Sequence, residues 1–104
     1  MEKVYNKLVR DNIPEIIEKD GKKSVIEIMD ENEFLEELNK KLIEETEEYI
    51  EDENIEEIAD ILEVIHGILK AKGTSFEEVE KIRLEKRHKR GGFEGKIKLV
   101  KVIE

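Results

Sequence analysis

The chain has 104 residues, no cysteine and a net charge of −9, with 45% of its residues charged and 5% aromatic. This length allows one domain with a modest core, and the lack of cysteine excludes disulfides and thiolate zinc sites, so we expect a cytoplasmic protein. No apolar run approaches the roughly 20 residues of a membrane span, and the negative charge disfavours binding to a nucleic acid polymer.

Four helices are predicted, because four residues able to cap a helix are each followed three positions later by Glu. The expected helices cover residues 12–19, 31–50, 54–72 and 75–90, with the capping pairs Asn12–Glu15, Asp30–Glu33, Asn54–Glu57 and Ser75–Glu78. Segments 25–29 and 96–103 are rich in β-branched residues and could pair as a small two-stranded β element. No repeat or linker divides the chain, so residues 1–104 are expected to form a single, mainly α domain.

Acidic residues occupy apolar positions on the two longest predicted helices. On a wheel of about 100° per residue, Glu45 falls inside the apolar stripe of the second helix, and Glu48 lies at its edge. Glu57 falls inside the stripe of the third helix, and Asp60 flanks it. A carboxylate at a buried position is costly unless a cation or a proton offsets its charge, which favours a metal site.

An antiparallel hairpin of these two helices would place the acidic pairs side by side. A turn near Asp52 sets Glu45 level with Asp60 and Glu48 level with Glu57. Within each pair the i, i+3 spacing separates the Cβ atoms by about 5–6 Å. Four converging carboxylates suit Mg²⁺ or Mn²⁺, which prefer oxygen ligands.

Other interpretations of the acidic helices remain open. The second helix is so rich in Glu that Glu44 and Glu47 also have the E-x-x-E spacing. The alternative to a metal site is an acidic helix face that is simply solvated. Glu63 and His66 have the E-x-x-H spacing of di-iron bundles, but both point away from the apolar arc. No catalytic triad and no Gly-rich phosphate loop is recognisable.

A cationic stripe lies on the fourth predicted helix and precedes the sequence Gly91-Gly92-Phe93. Its members, at i, i+3, i+4 and i+7 spacing, are Arg83, Lys86, Arg87 and Arg90. They could clamp phosphates, although composition alone favours a solvated basic face near a helix C-terminus. Lys7 and Arg10, before the first helix, have the same two interpretations.

Three segments carry a resemblance to a known family. K-L-I-E-E-T-E-E at 41–48, followed by E-I-A-D at 57–60, resembles the E-x-x-E and E-x-x-D signature of the all-α nucleoside triphosphate pyrophosphatases. The opening KLVRDNIPEII and the later RGGF are similar to a compact MazG-like subgroup described as phosphoribosyl-ATP pyrophosphohydrolase-like. The resemblance implies a MazG-like helical bundle that assembles as a homodimer or a dimer of dimers.

The same resemblance implies a reaction and its residues. The reaction is metal-dependent cleavage of a nucleoside triphosphate between the α and β phosphates, which yields a monophosphate and pyrophosphate and serves nucleotide-pool house-cleaning. The residues implied are Glu45, Glu48, Glu57 and Asp60 for Mg²⁺ or Mn²⁺, Glu44 for activating water, and Lys7, Arg10, Lys86 and Arg90 for the substrate phosphates. The alternatives are a phosphoribosyl-ATP pyrophosphohydrolase and a helical interaction module without enzymatic activity.

Overall fold

A computed structural model describes residues 1–104 and contains four α-helices and no β-strand. The helices are α1 (Ile13–Lys19), α2 (Glu31–Asp52), α3 (Ile55–Ala71) and α4 (Phe76–Arg90). The mainly α fold is confirmed, and the predicted helix ends differ from the observed ones by two residues or fewer. None of the four helices combines the length and the apolar character that crossing a bilayer would demand.

Two of the predicted helix caps are confirmed. The Asp30 carboxylate accepts a hydrogen bond of 2.8 Å from the backbone N–H of Glu33 at the start of α2. The Ser75 hydroxyl accepts one of 3.2 Å from the N–H of Glu78 at the start of α4. Each bond satisfies an amide that has no partner inside the helix, which defines where the helix begins.

The other two caps differ from the prediction. Asn54 accepts a hydrogen bond of 3.0 Å from the N–H of Glu56 rather than of Glu57, since a cap can serve either the second or the third residue of the helix. Asn12 forms no side-chain cap with Glu15. Its backbone angles, φ −88° and ψ −4°, are already helical, whereas a capping residue normally has an extended backbone.

The two-stranded β element suggested by segments 25–29 and 96–103 is absent. Apart from the half-buried Met29, their apolar side chains stay exposed, as Val25, Ile28 and Ile97 show with at least 90% of their surface accessible. A pair of strands without a third strand or a covering helix is only marginally stable in water, so alternating sequence alone does not secure it.

The hairpin of α2 and α3 forms the core of the structure. Leu38 and Val64 are its buried hydrophobic residues, 5% and 7% exposed. Gly67 lies against Leu38, because a Cβ atom built on this glycine would be 3.0 Å from the Leu38 Cδ2 atom. The same antiparallel register, in which position 38 faces position 67, also brings Glu45 level with Asp60.

The chain divides into two compact units, Met1–Gly73 and Thr74–Glu104, which we call the first and second units. The first unit contains α1, α2, α3 and every buried residue, and its 22 acidic and 10 basic residues give a net charge of −12. The second unit contains α4 and the C-terminal segment, and its six acidic and nine basic residues give +3. A single domain over residues 1–104 stays a prediction.

Candidate metal centre

A cluster of carboxylates, the acidic cluster, lies on the α2–α3 hairpin. Glu45, Glu57 and Asp60 each place one carboxylate oxygen within 4.8 Å of the others, close enough to share a metal ion. Glu48 follows Glu45 by nearly one helical turn, and its negative charge raises the pKa of both Glu45 and Glu57. The hairpin therefore brings three of the four predicted metal ligands into a group that could hold a cation, and Glu48 is not a member of that group.

Glu45 is the buried member of the acidic cluster. It is 8% exposed, which confirms its predicted place in the apolar stripe, and its Oε2 atom is buried without a hydrogen-bond partner. The nearest cation is Lys41, whose Nζ atom lies 3.7 Å from the other oxygen, Oε1. A buried polar atom left unpaired costs roughly 1–3 kcal/mol, so this oxygen is poised to accept a cation or a donor.

Burial and like charges raise the pKa of two carboxyl groups in the cluster. For Glu45 the largest cause is desolvation, followed by repulsion from Glu48 and Asp60, and Lys41 offsets part of the increase. For Glu57 the order is the same: desolvation acts first, and Glu48 and Asp60 add to it. A divalent cation among these oxygens would favour the ionised forms, and a set made only of oxygens fits Mg²⁺ or Mn²⁺.

Two cations of the N-terminal segment reach the hairpin. Arg10 Nη2 lies 2.8 Å from Asp60 Oδ1, and Lys7 Nζ lies 3.1 Å from Glu44 Oε1. Both residues were predicted to bind phosphates, and the structure places both on carboxylates at or beside the acidic cluster. No local pattern relates residues that stand 50 and 37 positions apart, so the sequence held no signal for these pairs.

Glu44, the predicted activator of water, lies beside the acidic cluster with 34% of its side chain exposed. Besides Lys7, it meets Lys41, whose Nζ atom is 3.8 Å from Glu44 Oε2. Lys41 thus contacts both Glu44 and Glu45. Sequence reasoning missed this lysine, although its i+3 and i+4 spacing to the two glutamates is a recognised signal for helical ion pairs.

The neighbouring acidic residues face solvent, as the helical wheel predicted. Glu47 on α2 and Glu56 on α3 are both exposed, so the wheel separated them correctly from Glu45. Glu63 and His66, which carry the di-iron spacing, are exposed as well and are not part of the group that could hold a metal. The direction in which each helix face points therefore decides which of the many acidic residues belong to the acidic cluster.

A separate basic pocket lies in the second unit, with a volume of about 500 Å³. It is lined by the cationic stripe of α4 and by the three residues after Arg90, that is by Arg83, Lys86, Arg87, Arg90, Gly91, Gly92 and Phe93. Lys86 and Arg90, predicted to bind phosphates, thus share one concave surface. Glu80 pairs with Arg83, and Glu94 pairs with Arg87 at 2.5 Å.

Comparisons with family models, with curated proteins and with solved structures give no match to this chain. The resemblance to the MazG-like pyrophosphohydrolases therefore stays a prediction that rests on three sequence segments. The acidic cluster with its buried, unpartnered oxygen is the structural observation that bears most directly on function.

Proposed function

We propose that this chain is a metal-dependent nucleoside triphosphate pyrophosphohydrolase. Its metal, Mg²⁺ or Mn²⁺, would be held by Glu45, Glu48, Glu57 and Asp60. The observation that carries the proposal is the Oε2 atom of Glu45. This atom is buried and has no hydrogen-bond partner, and Glu45 belongs to a group of three carboxylates that could share a metal ion. A purely solvated acidic face gives no reason to bury a carboxylate, because charged residues are almost never buried unless they are paired.

The chemistry follows from the charges around the acidic cluster. A bound Mg²⁺ would neutralise the polyphosphate and favour attack by water at the α phosphorus, with pyrophosphate as the leaving group. Glu44 would take the proton from that water at its Oε2 atom. This oxygen lies 3.8 Å from Lys41 Nζ, whereas Oε1 lies only 3.1 Å from Lys7 Nζ and is therefore more engaged by a lysine. Lys7 and Arg10 have about half of their side-chain surface exposed, so they can exchange their carboxylate partners for phosphate oxygens.

The proposal for the acidic cluster concerns the first unit alone. Lys86 and Arg90 stay predicted phosphate ligands in the basic pocket of the second unit. The preferred base and sugar are open, and noncanonical nucleotides and phosphoribosyl-ATP are both candidate substrates. A cytoplasmic location fits a chain without cysteine.

We propose in addition that the chain forms a homodimer or a dimer of dimers. Leu38 and Val64 are the whole buried hydrophobic core, whereas a domain of this length ordinarily buries about two-thirds of the surface of its unfolded chain. On α3, Ile55 is 80% exposed and Leu62 is 43% exposed. A second copy would cover such a face, as isologous interfaces do. A stably folded monomer at micromolar concentration, seen by light scattering and circular dichroism, would contradict this.

A screen for pyrophosphate release tests the proposed reaction. Canonical and modified nucleoside triphosphates, together with phosphoribosyl-ATP, are incubated with the full chain and Mg²⁺ or Mn²⁺. We expect the metal to raise the Tm and a subset of nucleotides to yield pyrophosphate and the monophosphate. Metal stabilisation without turnover of any nucleotide would contradict the hydrolase, and the absence of both effects would favour the helical interaction module.

Hydrolysis in ¹⁸O-labelled water identifies the phosphorus atom that is attacked. Attack at the α phosphorus leaves the label in the monophosphate and none in the pyrophosphate. Label in orthophosphate, with none in the monophosphate, would show attack at the γ phosphorus and would overturn the proposed bond cleavage.

A further inference from the structure

The basic pocket gathers four positive charges and has no acidic lining residue, in a chain whose net charge is −9. Like charges at i, i+4 spacing destabilise a helix, so this stripe favours an anionic partner. Two cations of the stripe, Arg83 and Arg87, already pair with a glutamate, and the two glutamates differ in their position in the chain. Glu80 pairs with Arg83 within the same helix, whereas Glu94 belongs to the segment that follows the helix and turns back to Arg87.

The pair of Arg87 and Glu94 closes directly over Gly92. Arg87 Nη2 donates a hydrogen bond of 2.5 Å to Glu94 Oε1. A Cβ atom on Gly92 would overlap Arg87 Nη1 and would lie 2.5 Å from Glu94 Oε2, so a side chain at this position would displace the pair. In the structure the guanidinium of Arg87 thus meets the Glu94 carboxylate directly beside Gly92.

The carboxylate of Glu94 has the chemistry of a replaceable ligand. The Arg87 guanidinium lowers the pKa of the Glu94 carboxyl, and a backbone hydrogen bond adds to this effect. Even so, the Glu94 side chain is 70% exposed, and an ion pair in such contact with water is weakly held. Guanidinium binds phosphate in the same two-pronged geometry as carboxylate, and a polyphosphate carries more charge than one carboxylate.

Phe93 adds an aromatic surface to the pocket. It lies between Gly92 and Glu94 in the sequence, lines the pocket and is 98% exposed, so its ring is uncovered. A flat heteroaromatic ring stacks favourably on such a side chain, whichever base it is. Positive charge beside an uncovered aromatic ring matches a ligand that joins phosphates to a flat ring, which is the chemistry of a nucleotide.

The phosphate ligands of the proposed function, Lys86 and Arg90, lie in the basic pocket, and this inference rests on that assignment. We propose that Glu94 is an internal competitor that occupies Arg87 until the polyphosphate of a nucleotide displaces it, and that the base of that nucleotide stacks on Phe93. The binding step involves residues of the second unit only and needs no metal. Its failure would leave the proposed reaction at the acidic cluster untouched.

Binding measured in EDTA isolates this pocket from any metal-dependent site. Isothermal titration calorimetry follows ATP and tripolyphosphate added to the full chain. We expect ATP to bind more tightly than tripolyphosphate, and Phe93→Ala to remove that difference, a loss of roughly fivefold or more. Equal affinities in the wild type would overturn the role of Phe93, and no binding of either ligand at millimolar concentration would overturn the pocket.

Variants at positions 87 and 94 test the competition. Arg87→Ala should weaken both ligands by roughly tenfold, because it removes a charge-assisted hydrogen bond. Lys89→Ala is the matched control, since it removes the same charge from the same helix at a residue outside the pocket lining. An equal loss in the two variants would show nonspecific attraction and would overturn the site.

Glu94→Gln should tighten both ligands by about two- to fivefold, because the internal competitor is gone. The gain should vanish when Glu94→Gln is combined with Arg87→Ala, since Glu94 acts through Arg87. Both positions are exposed, and unchanged helical circular dichroism would verify that the variants fold. An equal gain in the presence and absence of Arg87, or no gain at all, would overturn the assignment of Glu94 as a competitor.

Discussion

The two units carry clusters of opposite charge, and at each cluster a residue outside the helices that form it supplies a charge of the other sign. Arg10 meets Asp60 of the acidic cluster, and Glu94 meets Arg87 of the basic pocket. The clusters differ in burial, since Glu45 is 8% exposed, whereas about half of the Arg87 side chain is accessible. Water satisfies an exposed ion at little cost but does not reach the Oε2 atom of Glu45. The acidic cluster therefore has the greater need of a ligand.

The largest expected effect comes from removing charge in the acidic cluster. Asp60→Asn and Glu45→Gln should each lower kcat/KM by more than about 100-fold. Replacing a residue that only orients a metal ligand already lowers metal affinity or activity by about 10–100-fold, and these two residues are proposed to bind the metal directly. Glu47→Gln and Glu56→Gln remove the same charge from the exposed sides of the same two helices and should change activity little. Steady-state kinetics and metal titration of these four variants compare the two groups within one protein.

Two outcomes would break that comparison. If the exposed and the clustered positions lost activity equally, the acidic cluster would act only through its overall charge. If none of the four variants lost activity, the carboxylates would have no part in the reaction.

The next largest effect concerns stability without metal. Because burial and neighbouring carboxylates raise the pKa of Glu45, the folded chain disfavours its ionised form. At pH 7 in EDTA, Glu45→Gln should therefore raise the unfolding free energy by on the order of 1 kcal/mol, or the Tm by about 4–8 °C. Thermal melts with EDTA and with Mg²⁺ check this, and Mg²⁺ should stabilise the wild type more than the variant.

The pH dependence of the same melts has a defined sign. A carboxyl group whose pKa is raised by folding costs stability as the pH rises through the folded pKa, and that cost disappears on acidification. The difference in Tm between Glu45→Gln and the wild type should thus shrink between pH 7 and pH 4. A constant difference over this range would mean that repulsion at Glu45 is not its cause.

A smaller effect is expected at Arg10, the internal cation of the acidic cluster. Arg10→Gln frees Asp60, so the affinity for Mg²⁺ should rise by about two- to fivefold while KM for the nucleotide rises. Lys19→Gln is a suitable control, since Lys19 pairs with Glu15 on α1. A lower metal affinity in Arg10→Gln would show that the arginine orients Asp60 instead of competing with the metal.

The smallest effect is expected at Glu94, the internal anion of the basic pocket. Glu94→Gln should leave the Tm within the error of a thermal melt, because its pair with Arg87 lies in water and no buried side chain depends on it. A clear decrease in Tm would show that the pair of Arg87 and Glu94 stabilises the fold of the second unit, and this would contradict a pair that phosphate readily displaces.

The sequence by itself determined the helices and the direction in which their carboxylates point. Asp30 and Ser75 cap helices as predicted, since each bonds to an amide only three residues away along the chain. Glu45 is buried and Glu47 is exposed because the helical repeat sets the face of every residue once the apolar stripe is known. These features depend on short-range geometry that the order of residues records directly.

Only the tertiary structure decided which distant charges meet. Arg10 reaches Asp60 across 50 residues, and Lys7 reaches Glu44 across 37. The expected β element between segments 25–29 and 96–103 depended on such a distant meeting as well, and it is absent. Contacts of this kind follow the path of the whole chain through space, and no repeating pattern along the sequence encodes that path.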